Sequence, residues 1–192
     1  MVWAVILFIG ITLSNAFAVE FSALSVTNVA GTTRTSKMYF KDKKHRMEVQ
    51  GQSGYNILRE DKKVMWIVMP DEKTYIEMPF DPYEKPQVEE KYVGEISRKE
   101  VGEEIIDGHP TKKYEITYKI DDKTDRVYQW IATDMDFPIK STAIDGSWVA
   151  EFKDIKIGPQ PDSLFEIPAG YQKMTMPSFP GMGEGMMPPR GR

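Results

Sequence analysis

Ser36 to Met78 reads SKMYFKDKKHRMEVQGQSGYNILREDKKVMWIVMPDEKTYIEM, a series of short apolar-alternating runs broken by charged clusters. That is the pattern of consecutive antiparallel strands joined by tight loops, a β-meander. The breaks at Lys41–Lys44 (KDKK), Glu60–Lys63 (EDKK) and Pro70–Lys73 (PDEK) each hold an Asp, which bonds its own backbone and so favours a turn. Val64 to Met69 (VMWIVM) differs from its neighbours because it is apolar at both parities. A strand with one wet face alternates, so both faces of this one should be covered. What covers the second face is the functional question.

The segment before the meander reads as an export signal. Val2 to Leu13 is an apolar run, followed by Ser14, Asn15 and the A-x-A site Ala16-Phe17-Ala18. Cleavage after Ala18 is expected, placing the mature chain from Val19 in the periplasm or otherwise outside the cytoplasm; no Lys or Arg precedes the run, and an uncleaved anchor is the alternative. The run is shorter than the roughly 20 apolar residues of a membrane helix. Of 192 residues, 174 then remain, a normal size for one domain. There is no Cys, which excludes thiol catalysis, Cys-based zinc sites and thiol redox chemistry. The net charge of −4, from 25 basic and 29 acidic groups, argues against nucleic acid as a partner.

Around the meander, Val19 to Val29 alternates as a first strand and ends at Gly31. Pro82 and Pro86 exclude a regular strand after Pro79. Pro86 could open a short helix ending at Gly94 with Val88 and Tyr92 on one face; a solvated connector fits the pattern equally well. Gly94 to Asp107 is ambiguous between helix and strand; strand is favoured because Gly102 costs about 1 kcal/mol inside a helix. Tyr114 to Ile120 alternates cleanly, and Arg126 to Ala132 returns with Tyr128 and Trp130 on one face. Asp145-Gly146 between Phe137–Ile144 and Ser147–Ile157 is a hairpin signal. Within the second arm the apolar parity slips from Trp148, Ala150 and Phe152 to Ile155 and Ile157, which suggests a β-bulge near Lys153–Asp154. Leu164–Ile167 and Tyr171–Met174 read as a final edge segment. Residues 177–192, dominated by Pro, Gly and Met, read as a disordered tail, leaving 19–176 as a single domain.

Motifs for catalysis are missing: there is no glycine-rich phosphate loop, Ser-x-x-Lys, Gly-x-Ser-x-Gly or His-Glu-x-x-His. His45 and His109 each stand beside an expected turn, where an exposed His is the simpler explanation. Asp134 and Asp136 lack the further oxygens of a calcium loop. Met174, Met176, Met182, Met186 and Met187 could offer thioethers to Cu(I), but low-complexity composition explains them more simply. No catalytic residue, metal or cofactor is therefore assigned. Lys43, Lys44, Arg46, Lys62 and Lys63 lie on two neighbouring hairpin connections and form a candidate basic surface for anionic lipid or an acidic partner. Solvated turns are the alternative.

The stretches EFSALSV, KMYFKDKKHRMEV and NILREDKKVMWIVMPDEKTY in an exported chain resemble the periplasmic lipoprotein-carrier group, LolA, LolB and relatives. They are still more similar to a related family of exported bacterial proteins described as a domain of unknown function, which the terminal LFEIPAGYQKM also resembles. The resemblance implies a strongly curved, incomplete antiparallel barrel that holds acyl chains on an aromatic and aliphatic concave side. Its nearest counterpart to the carriers' lipoprotein-affinity arginine is Arg46. This chain has little helix to serve as the carriers' lid.

The expectation is a single all-β domain, an open half-barrel of roughly ten strands with at most one or two short helices. Its concave face should gather some of Met65, Trp66, Met69, Tyr75, Tyr118, Tyr128, Trp130 and Trp148, and the inward parity is left open. The expected function is non-catalytic binding or carriage of a lipid or acylated protein. The rival reading is an envelope scaffold whose second face is filled by its own side chains or by a partner protein.

Overall fold

A computed structural model describes residues 19–80, 92, 94–120 and 122–174. The export segment, the 177–192 tail and most of the possible helix after Pro86 lie outside these residues. The described chain forms one twelve-stranded sheet in the order β12-β6-β5-β4-β3-β2-β1-β11-β10-β9-β8-β7. The strands are β1 (Phe21–Val29), β2 (Thr32–Lys41), β3 (Lys44–Val49), β4 (Tyr55–Arg59), β5 (Val64–Met69) and β6 (Thr74–Pro79). They continue as β7 (Glu95–Ile106), β8 (His109–Ile120), β9 (Lys123–Ala132), β10 (Phe137–Ala143), β11 (Trp148–Ile157) and β12 (Gln172–Met174). The sheet is thus all-β and curved, as expected, with two more strands than the sequence suggested.

Chain order and sheet order agree except at two places. The β1–β11 pairing joins two meanders, β1–β6 and β7–β11, side by side. The other is β12, which returns to pair in parallel with β6. The three charged breaks do form turns, and each contains a residue in the left-handed region: Asp42, Lys63 and Lys73, with φ of 50°, 55° and 51°. At the start of β7, Gly94 is required for a second reason. Its φ is +72°, and a Cβ there would stand 2.2 Å from the Lys119 carbonyl oxygen, so only glycine lets the chain approach β8.

The anticipated bulge is present. Ser22 pairs with Lys156 but Leu24 with Lys153, so β11 carries one extra residue, and Asp154 takes a φ of 52°. The Asp107 carboxylate, in the turn between β7 and β8, accepts hydrogen bonds from the Asp154 and Ile155 amides at 3.1 and 2.7 Å. A hairpin at one edge of the sheet thereby reaches a strand near its middle, which requires the sheet to curl. Ile106, next to Asp107, is buried in the main core with Phe21, Phe40, Trp130, Ile139 and Phe152. Phe21 and Phe40 stack at 4.4 Å, Phe137 meets Phe21 and Phe152 meets Phe40 edge-on, and Phe137 and Phe152 are tilted against each other. This aromatic cluster closes one end of the curled sheet.

Among the described residues β7 is a long edge strand, yet it is guarded. Register shifts at Glu95/Ser97 and Glu100/Gly102 break its regularity, and Lys99, Glu100 and Glu103 put charge along it. Bulges and charges of this kind discourage pairing with another strand.

Candidate functional site

Strand parity follows directly from the register. Met38 stands opposite Ala23 and Met47, and Met47 opposite Asn56. Asn56 in turn faces Ile67, and Ile67 faces Ile76. These residues therefore share one face, together with Met65 and Met69 on β5, while Trp66, Val68, Tyr39, Ile57 and Tyr75 take the other. The first face is concave. A cavity of about 860 Å³ opens over it, lined from five consecutive strands by residues including Ser25, Arg34, Met38, Met47, Ser141, Trp148 and Phe152. Ligand sites commonly fall in the range of about 300–1,000 Å³.

The convex face of the doubly apolar strand β5 is covered by the chain itself. After Gly158 the backbone leaves β11, turns through a 3-10 segment at Asp162–Phe165, and crosses β3 to β5 before joining the edge as β12. Leu164, Phe165, Ile167 and Tyr171 from this strap pack on Tyr39, Tyr55, Ile57, Trp66, Val68 and Tyr75, with Phe165 and Val68 fully buried. The expected edge segment from Leu164 is therefore a crossing strap, and only Gln172–Met174 is edge strand. Its 3-10 turn lets Phe165 project into the sheet where an extended chain would lie flat.

Cations from the convex face hold the strap down in sequence. Lys41 donates to the Gln160 carbonyl at 2.9 Å, and Lys44 to Asp162 at 3.0 Å. Arg46 donates to the Leu164 carbonyl at 3.2 Å while lying 3.6 Å from the Tyr55 ring centroid. Arg59, only 3% exposed, donates to the Phe165 carbonyl at 3.1 Å, to both Asp61 oxygens at 2.8 and 2.7 Å, and to Glu166. Lys62 reaches Glu166 at 3.2 Å. At the far end Glu77 accepts from the Trp66 indole at 2.9 Å and from Lys173 of β12 at 2.7 Å.

These bonds set the acids' titration. The bidentate Arg59 bond holds Asp61 at about 2, below its ordinary 3.8. Burial alone would raise Glu166, but the Arg59 and Lys62 hydrogen bonds outweigh it and hold it low. Lys44 and then Lys41 hold Asp162 down, and Lys173 and then Trp66 do the same for Glu77.

The basic residues singled out from the sequence thus divide. Lys44, Arg46 and Lys62 are engaged with the strap, while Lys43 and Lys63 sit exposed in turns. Of the aromatic and Met residues expected on the concave side, Trp148 lines the cavity, and Met65 and Met69 lie on the same face farther along the sheet. Trp66 and Tyr75 are on the convex face beneath the strap, contrary to that expectation. Tyr118 packs with Tyr92, Ile116 and Val127. Trp130 is buried in the main core with its indole donating to Glu104, and Tyr128 packs beside it; neither lines the cavity. His109 meets Asp134 at 2.8 Å, and Met135 between the two acids is buried.

Two residues were missed by the sequence reading. Arg59, just before the Glu60–Lys63 turn, was assigned no role, because no local period marks an arginine that will be buried. Arg34 sat in a threonine-rich approach to the meander, where only the finished register shows it facing the cavity.

Residues 23–136 match the model of a family described as a domain of unknown function, DUF4412, in line with the resemblance read from the sequence. The strap lies outside the matched region. No curated protein matches the chain. Among solved structures, the MucA/MucB complex of Pseudomonas aeruginosa is similar with a TM-score of 0.53 at 16% identity, covering 77% of this chain and 56% of the matched one. PNGF-II is similar with a TM-score of 0.50 at 12% identity, covering 81% of this chain and 30% of that one. A putative outer membrane lipoprotein-sorting protein domain from Vibrio parahaemolyticus is 9% identical, with a TM-score of 0.32, covering 76% and 88%. The chain spans little more than half, or less, of the first two matched chains. At these identities the likeness to the first two describes the fold alone.

Proposed function

The chain belongs to the DUF4412 family, a domain of unknown function, and from its sheet geometry we propose that it is a non-catalytic extracytoplasmic protein that binds or carries a lipid or acylated ligand in its concave trough. The observation that carries this reading is the contrast between the two faces of one sheet. The convex face is filled by Phe165 and its neighbours, whereas the concave face keeps an open volume of about 860 Å³ with Met38, Met47, Ile139 and Phe152 at its base. Burial of an alkyl chain there would contribute about 0.8 kcal/mol per methylene. Along β5 and β6 the same face continues as Met65, Ile67, Met69, Ile76 and Met78, all half-buried and adaptable in shape. Export by the segment ending at Ala18 would place this trough in the cell envelope.

A second reading has its own support. A solved structure with a similar fold is a complex of two proteins, MucA and MucB, so the trough could receive a segment of an envelope protein instead of a lipid. Mass spectrometry of an organic extract, taken from protein purified out of its native compartment, separates the two. A stoichiometric lipid supports carriage. A lipid-free protein that also takes up no apolar fluorescent probe supports the interaction domain.

A further inference from the structure

We infer that the trough selects an anionic single-chain amphiphile, bound with its tail toward the aromatic end and its acid group at Arg34; this rests on the proposal that the trough binds a lipid-like ligand. The basis is a polarity gradient written into successive cross-strand pairs of β1 and β2. Along the concave face these run Phe21–Phe40, Ala23–Met38, Ser25–Ser36 and Thr27–Arg34. The flanking strands repeat it, from Phe152 to Ala150 on β11 and from Ile139 to Ser141 on β10. One end of the trough is thus closed by stacked rings, and the other opens among hydroxyls, Gln50, Gln52 and a guanidinium.

Charge marks the open end. Unlike Arg46, Arg59 and Arg98, which are held by acids at 2.7, 2.7 and 2.9 Å, Arg34 makes no ion pair among the described residues. Glu151, the one carboxylate lining the trough, is paired with Lys153 at 3.3 Å. The guanidinium presents a planar fork suited to a carboxylate or phosphate. Length can be read from the backbone itself. Met38 and Arg34 are four residues apart in one strand, about 14 Å. An extended alkyl chain covering that distance has roughly the same number of bonds as the backbone, about twelve.

The test uses the full exported protein, stripped of lipid, at pH 8. Dodecanoate and 1-dodecanol each compete against N-phenyl-1-naphthylamine, a neutral apolar probe. Arg34→Gln is expected to weaken dodecanoate about tenfold and leave dodecanol unchanged, and added salt should weaken dodecanoate alone. Equal behaviour of the two ligands in Arg34→Gln overturns the head-group assignment while leaving the trough reading intact. Wild-type protein that binds neither the probe nor either ligand overturns both. Arg34 is exposed, so the substitution leaves the core untouched.

Discussion

Arg59, buried at the end of β4, donates to the carbonyl of Phe165, a residue 106 positions later in the chain. That bond, with those to Asp61 and Glu166, fixes the strap over the convex face. Removing a buried charge partner costs about 3–5 kcal/mol, but Asp61 and Glu166 are 34% and 47% exposed and can rehydrate. Arg59→Met should therefore destabilise by about 2 kcal/mol. Urea unfolding followed by far-UV circular dichroism measures this, and an unchanged midpoint would mean that the strap is seated without Arg59.

Phe165→Ala tests the apolar half of the same contact. The ring is fully buried against Ile57, Trp66 and Val68, and truncation should cost about 3–4 kcal/mol. Probe uptake by the folded variant should stay at the wild-type level, because the strap and the trough lie on opposite faces. Trp66→Ala should behave alike, losing stability without losing uptake.

Acid should loosen the strap first. Asp61, Glu166, Asp162 and Glu77 all have folded pKa values below their ordinary ones. Their stabilisation is therefore complete above the unfolded pKa and is lost as pH falls through the folded one. For Asp61 the window runs from 3.8 down to about 2. Proteolysis by pepsin across this range should cut within residues 158–174 before the remaining strands open. In Arg59→Met the cut should appear at higher pH, since the carboxylates lose the group that holds them ionised.

Asp107→Asn addresses the curl of the sheet. Asparagine tolerates the φ of 50° at this position but offers one acceptor oxygen in place of two to the Asp154 and Ile155 amides. A loss of about 1 kcal/mol is expected. Hydrogen exchange at Asp154 and Ile155 should quicken while exchange in β3 and β4 stays unchanged.

The sequence made strands and turns legible where chemistry is local. Asp145-Gly146 marked its hairpin, and the parity slip after Phe152 marked the bulge that Asp107 caps. The doubly apolar Val64–Met69 run implied cover on both faces; the structure covers only the convex one, and that cover is long-range. Leu164, Phe165, Ile167 and Tyr171 follow no regular period, because a strap that crosses strands contacts them one side chain at a time. Inward parity was equally hidden, since Met65 and Trp66 are both apolar and only the register with Met38 and Met47 separates them. The basic loop residues looked like a surface because their acceptors, the Leu164 carbonyl, Asp162 and Glu166, lie more than 100 residues away.

The concave trough should take in an apolar guest. Ala150 lies on its wall, opposite Thr27 and Ser141, with room around it. Titration of N-phenyl-1-naphthylamine into lipid-stripped protein and into Ala150→Trp is the direct measurement. Saturable uptake by the wild type, lost in a variant that still unfolds cooperatively, is the predicted result. Equal uptake by both proteins, or none by the wild type, would contradict it.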